Sequence, residues 1–215
     1  MLSLAVGSIN RVYLLDTSEG KIVIKVNSSV EFPGMFQAEK QGLEELKKPG
    51  AIDVPEVLGC GEIADTAFLL LEHKEQGTQK GHFWKVFAEG LSALHKVTAS
   101  QFGFHSSNYI GSLPQENGHE TSAADFYIRQ RLQPQFKMAA KNGFAFDRLD
   151  HIYKNISEEI LEEPPALIHG DLWNGNYITN EQGLPCLIDT DVSYGTREMD
   201  LAMMKILGGF PATVF

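Results

Sequence analysis

Two kinds of hydrophobic spacing divide this chain, and their order limits the folds open to it. Before residue 75 the apolar residues come in short β-branched or aromatic runs at 12–15, 21–26 and 67–71. The first two are separated by Asp16-Thr17-Ser18-Glu19-Gly20, whose composition is that of a hairpin turn. One helical pattern interrupts them at 35–48, with Phe36, Leu43 and Leu46 on one face and Pro49-Gly50 as its stop. Residues 52–61 read as turn-rich, and Glu72-His73-Lys74-Glu75-Gln76-Gly77 as a hinge. Beyond it the period becomes helical. Phe83, Phe87, Leu91, Leu94 and His95 form one stripe, followed by a loop at 102–121, helical stretches at 123–141 (interrupted at Pro134) and 146–162, and a last helix at 197–207. Strands first and helices after predict an α+β fold of two lobes. Residues 1–74 form a small N-terminal antiparallel sheet with one helix, and residues 75–215 a larger, mainly helical C-terminal lobe.

Within the second part, His169-Gly170-Asp171-Leu172-Trp173-Asn174-Gly175-Asn176 precedes Leu187-Ile188-Asp189. Asn176 lies 176 − 171 = 5 positions after Asp171, and Asp189 lies 189 − 171 = 18 after it. Phosphoryl transfer needs a carboxylate to take the proton of the attacking hydroxyl, an Asn five positions on to hold magnesium, and a second Asp to hold magnesium across the phosphates. A lone His-Gly-Asp is commonly a turn whose Asp bonds its own backbone. Eight ordered residues and an apolar strand ending in Asp exceed what a turn requires. The spacing thus points to a kinase-type site, with Asp171 as base and Asn176 and Asp189 as metal ligands.

Upstream residues supply the rest of that site. Glu39 sits between Phe36 and Leu43 on the apolar helix face, so its charge needs a partner. Lys25, on the preceding strand, is the natural one, because kinases pair a strand Lys with a helix Glu to aim the ammonium at nucleotide phosphates. Gly7-Ser8-Ile9-Asn10 stands where a nucleotide-covering turn would offer backbone N–H groups to phosphate oxygens. No G-x-x-x-x-G-K-[ST] and no helix-opening G-x-G-x-x-G occurs. Asp189-Thr190-Asp191 also admits an aspartyl nucleophile with its acid, or a glycosyltransferase metal pair, but the 215 − 191 = 24 residues after it are too few for a phosphatase body. Asp191 is either a further magnesium ligand or a turn stabiliser. Trp173 either covers the substrate or packs the loop. His169 reads as a brace for its loop rather than a base.

Charge narrows the partners. A net charge of -10 without a basic cluster argues against nucleic acid and anionic membranes. Cys60 and Cys186 make neither a disulfide framework nor a metal spacing, which fits a reducing cytoplasm, and neither a signal peptide nor an 18-residue apolar run is present.

The HGDLWNGN segment resembles the fructosamine kinase (ketosamine-3-kinase) family, as do Tyr194-Gly195-Thr196-Arg197-Glu198-Met199-Asp200-Leu201-Ala202-Met203, Gly208-Gly209-Phe210 and Asn108-Tyr109-Ile110-Gly111-Ser112-Leu113-Pro114-Gln115. The likeness covers nearly the whole chain. It implies a protein-kinase-like, aminoglycoside-phosphotransferase-like fold that uses ATP and magnesium to phosphorylate the sugar 3-hydroxyl of small-molecule or protein-bound ketosamines. A choline- or aminoglycoside-type phosphotransferase and a catalytically silent nucleotide-binding protein are the alternatives. By matching position it implies Asp171 as base, Asn176 and Asp189 on magnesium, Lys25 and Glu39 as the phosphate-aiming pair, Glu72, His73 and Lys74 as the adenine hinge, Asp200 beneath the catalytic loop and residues 103–115 near the ketosamine. Two departures stand out: Asp189-Thr190-Asp191-Val192 replaces the family's Asp-Pro-Ala-Val, and no cysteine precedes Cys60. Both ends are expected to be short relative to the family. Met199, Leu201, Ala202, Met203, Ile206 and Leu207 should therefore leave an exposed apolar patch, unless a second copy of the chain covers it as a homodimer.

Overall fold

Five short, β-rich segments pair into one antiparallel sheet because their alternating apolar faces need a common cover. The computed structural model describes the backbone of residues 2–6 and residues 9–215 in full. Strands β1 (Leu2–Val6), β2 (Arg11–Thr17), β3 (Gly20–Ser28), β4 (Val57–Ile63) and β5 (Thr66–Glu72) stand in the order β1-β2-β3-β5-β4. The sequence Asp16 to Gly20 makes the turn between β2 and β3, whose register sets Lys25 between Val12 and Leu69. Helix α1 (Met35–Lys47) crosses β4 and β5 and buries Met35, Phe36, Leu43 and Leu46 together with one carboxylate, Glu39.

β4 falls largely within the stretch whose composition reads as turns. It is an edge strand with Leu58 and Ile63 exposed, two glycines, and a register shift between Val57 and Gly59, so its sequence lacks the clean alternation of a covered strand.

The remainder is mainly helical. It comprises α2 (Phe83–Leu94), α3 (Ala123–Phe126), α4 (Gln133–Lys141), α5 (Leu149–Glu159) and α6 (Arg197–Leu207), as the α+β, two-lobed expectation requires. The long loop after α2 carries a small hairpin, β6 (Asn108–Ile110) with β7 (Leu113–Gln115), that the sequence pattern did not reveal. Pro134 does not end the helix. A π-helical turn over Tyr127–Leu132 takes up the strain ahead of it, and the Arg131 guanidinium donates to the Gln130 carbonyl, which the proline cannot reach with an N–H.

Four further strands pair antiparallel in twos: β8 (Ala166–Ile168) with β11 (Ser193–Gly195), and β9 (Tyr177–Thr179) with β10 (Pro185–Leu187). These pairings close the two loops that carry the motif. Residues 169–176 lie between β8 and β9, and Asp189 between β10 and β11.

One apolar core runs through both parts of the chain, from Leu43, Leu46 and Leu69 to Phe83, Phe87, Leu94, Leu167, Leu172 and Leu187. Phe87 touches the rings of Trp84, Tyr177 and Phe210, so α2 anchors the start of β9 as well as the segment after α6. On α6, Met204 is fully buried; of the six residues expected to form an apolar patch, Ala202, Ile206 and Leu207 are exposed, while Met199, Leu201 and Met203 are half-buried, Met199 and Leu201 packing against the core. Phe87→Ala removes a wholly buried ring from this cluster. Urea titration is expected to give a loss of about 3–5 kcal/mol in unfolding free energy, with Phe87→Leu losing clearly less.

Candidate active site

A buried ammonium draws three segments together. Lys25 projects from β3, and its Nζ bonds Glu39 Oε1 of α1 at 2.5 Å and Asp189 Oδ1 from the loop after β10. Lys25 and Glu39 are almost wholly buried, while the Asp189 side chain is nearly half exposed. Burial alone would lower the Lys25 pKa, but the charges of Glu39 and Asp189 outweigh it and hold the ammonium above its ordinary range. Asp189 adopts a left-handed backbone (φ 54°), which Asp tolerates better than most residues and which suits a constrained functional position.

The loop after β8 is held from below. Asp200, fully buried near the start of α6, accepts the His169 N–H on Oδ2 and the Gly170 N–H on Oδ1, each at 2.9 Å, and a third bond from His95 Nε2 at 2.9 Å. Burial would raise its pKa, but these donors and the neighbouring imidazoles hold it below the usual carboxylate range. His95 is thus a bonded interior residue. Gly170 (φ 89°) is the one residue type that fits its place, because a Cβ there would lie 2.2 Å from the Asp191 carbonyl oxygen.

His169 is fully buried and links both loops. Its Nε2–H donates to the Ile188 carbonyl at 3.0 Å, and Nδ1 accepts the Asp171 N–H at 3.3 Å. Its own carbonyl accepts from the Asp191 N–H and the Thr190 hydroxyl, both at 3.0 Å. The brace expected of His169 is therefore a double one.

Asn176 completes the set. Its Nδ2 donates to Asp171 O and Oδ2 at 2.8 Å and to Asp189 O at 3.2 Å, leaving Oδ1 as the atom available to a cation. Burial lifts the Asp171 carboxyl above its ordinary range and Asp189 pushes the same way, against the Asn176 amide. Asp191 is buried more deeply, and burial, reinforced by Asp171 and opposed by Arg131, raises its carboxyl well above the usual range.

These groups share a cleft of about 480 Å³. Lys25, Glu39, Asp171, Asn176, Asp189 and Asp191 line it, with Ile9, Asn10, Trp173 and the hairpin residues Asn108, Tyr109 and Gly111. Gly7 and Ser8 lie outside the described residues. Glu72, His73 and Lys74 do not line this cleft. They line a separate concavity with Asp53 and Asn180, where Lys74 Nζ pairs with Asp53 and Glu72 at 3.0 Å and Asn180 Nδ2 donates to Asp53 Oδ2 at 2.8 Å.

Sequence reasoning passed over Asp53, Asn180 and Arg131, whose partners lie 127 positions apart in the first pair and 62 from Ser193 in the last. The hairpin residue Tyr109, whose hydroxyl donates to the Pro33 carbonyl at 3.0 Å, was legible only as part of a long loop.

Oxygen donors of this kind suit a hard divalent cation. Among the described residues no three His, Cys, Asp or Glu side chains converge as a metal cage, so Asn176 and Asp189 would leave most of a magnesium shell to phosphates and water, as that ion prefers.

Burial also lowers the His169 pKa, which fixes the neutral tautomer described above. The unfolded chain takes up a proton below about pH 6.5 that the folded chain refuses, so this contribution to stability is full above that pH and is lost as pH falls below it. We expect the His169 ring resonances of the folded protein to stay unchanged from pH 8 to pH 6. His169→Gln should flatten the fall in melting temperature over the acidic side of that window.

The whole chain, residues 1–215, matches the family model described as fructosamine kinase. A protein of Enterococcus faecium named "Probable ketoamine kinase" is 37% identical over 210 residues, spanning 95% of this chain and 74% of that protein. The "Ketosamine-3-kinase" of Mus musculus is 29% identical, spanning 97% and 77%. Among solved structures, the "Putative fructosamine-3-kinase" of Haemophilus somnus 129PT superposes with a TM-score of 0.89 at 27% identity, over 99% of this chain and 72% of that one. With its buried Lys25–Glu39 pair, its braced Asp171 loop and a match from end to end, this chain belongs to the fructosamine kinase family.

Proposed function

We propose that this protein transfers the γ-phosphoryl group of ATP to the sugar 3-hydroxyl of a ketosamine. The observation that carries the reading is the convergence of Asp171, Asn176, Asp189 and Lys25 on one cleft. Family membership and the names of the relatives supply the acceptor class.

Asp171 accepts the hydroxyl proton as the new P–O bond forms and the bond to the ADP oxygen breaks. Its raised pKa brings it toward the range in which a carboxylate works well as a general base. Lys25, already protonated and fixed by Glu39, presents its ammonium to the nucleotide phosphates. Asn176 Oδ1 and the Asp189 carboxylate would hold magnesium, which would neutralise charge on the phosphate oxygens. Asp200 and His169 keep the Asp171 loop in place.

Glu72 and Lys74 pair with each other, and Lys74 with Asp53, in a separate concavity, so the adenine contact that the family resemblance assigns to residues 72–74 is left to their backbone. No helix among the described residues is long and apolar enough to cross a membrane, and two free cysteines suit action in a reducing cytoplasm.

Transfer of labelled γ-phosphate to a fructosamine, and not to glucose, is the direct assay. Absence of any magnesium-dependent transfer would sink the proposal, and transfer to choline or an aminoglycoside instead would move the acceptor class. Asp171→Asn should lower kcat about 10²- to 10⁴-fold while ATP still raises the melting temperature, since nucleotide binding does not require the base.

A further inference from the structure

Three side-chain oxygens are buried without a hydrogen-bond partner among the described residues: Asn27 Oδ1, Glu163 Oε1 and Asp191 Oδ2. Only Asp191 belongs to the catalytic cleft. The residue is 2% exposed, and its backbone is fixed by the bond from its N–H to the His169 carbonyl. A buried carboxyl oxygen without a hydrogen-bond partner is costly, so a fold that keeps one beside its reaction centre is matched to a donor that arrives with the ligand.

The neighbouring cations are already committed. Lys25 is the only cation lining the cleft among the described residues, and it is bonded to Glu39 and Asp189. Arg131 lies behind Asp191, but its guanidinium donates to Asn117 Oδ1 at 2.7 Å, Glu116 O at 2.7 Å, Gln130 O at 3.1 Å and Ser193 Oγ at 3.2 Å. With Asn176 and Asp189 assigned to the metal, Asp171 and Asp191 remain as two carboxyl groups lining the cleft, and Arg131, whose charge acts on Asp191, donates it no hydrogen bond.

Their placement is close. A Cβ added at Gly170 would sit 3.4 Å from the Asp191 carboxyl carbon, so that carboxyl packs against the residue immediately before the base. A ketosamine carries its amine on the first carbon and the reacting hydroxyl on the third, which puts a cationic donor a short reach from the hydroxyl.

We propose that Asp191 accepts a hydrogen bond from the protonated amine of the ketosamine and so makes the site selective for amine-bearing acceptors. This rests on the kinase reading above and deepens it by assigning a specificity residue. Asp191 takes no proton in the reaction. It binds the amine end of the acceptor equally in the ground state and the transition state, so it acts on KM.

Steady-state kinetics of the full chain test it, using a fructosamine and a matched analogue whose amine is replaced by an ether oxygen. Wild type should prefer the fructosamine. Asp191→Ala and the equal-sized Asp191→Asn should each raise KM for the fructosamine about 10- to 100-fold with kcat nearly unchanged. KM for the ether analogue, KM for ATP and the magnesium dependence should stay as in wild type. Unchanged fructosamine KM in a folded Asp191→Asn would overturn the inference, as would a shifted magnesium requirement, which would make Asp191 a metal ligand. A wild type inactive on every ketosamine is a distinct result that removes the underlying reading itself.

Discussion

The ammonium of Lys25 is the point on which the arrangement turns. Its carbon stem leaves the sheet, its charge meets a helix carboxylate, and its third contact is an Asp 164 positions away in sequence. Desolvating one cation and one carboxylate costs several kcal/mol per ion, and only close, multiply bonded geometry offsets it. Removing either partner would strand a buried charge, at a cost of about 3–5 kcal/mol. The pair is therefore poor as a device for stability and good as a device for position. It ties the face of β3 to α1 and points both at the loop that carries Asp189.

How much of this can be read along the chain depends on how far apart the partners are. Lys25 and Glu39 are separated by 14 positions, and the helical spacing of Phe36, Glu39 and Leu43 already places the carboxylate on a buried face. The Asp171, Asn176 and Asp189 spacing is legible for the same reason, since one loop and the β9–β10 pair that follows it contain it. Asp53 is different. It bonds Lys74 and Asn180 across 21 and 127 positions and forms no pattern with its neighbours, so nothing local marks it.

The hinge shows a second limit. Its composition correctly suggests a break in periodicity, but not which way side chains turn there. Lys74 turns toward Asp53 because a partly buried ammonium needs partners. Strand β4 and the β6–β7 hairpin were illegible because short edge strands rich in Gly or Pro lack the alternation that burial on one face imposes. At Pro134 the interruption of the helix takes the form of a π-helical turn with a side-chain donor, which keeps the helix running.

Asp171 and Asp200 show how one residue type takes two roles within a single site. Both are withdrawn from water, which by itself favours the protonated form. Asp200 recovers the loss through two backbone N–H donors and an imidazole, and the resulting depressed pKa means that it stays ionised and keeps its grip on the loop. For Asp171, burial together with the negative field of Asp189 outweighs the hydrogen bonds from the Asn176 amide and the Trp173 side chain, so its affinity for a proton rises. Gly170, bonded to Asp200 and next to Asp171, has no room for a side chain. Asp200, bonded by two backbone N–H groups and an imidazole, is a fixed anion, whereas burial and the charge of Asp189 leave Asp171 with a raised affinity for a proton, the property that the proposed base requires.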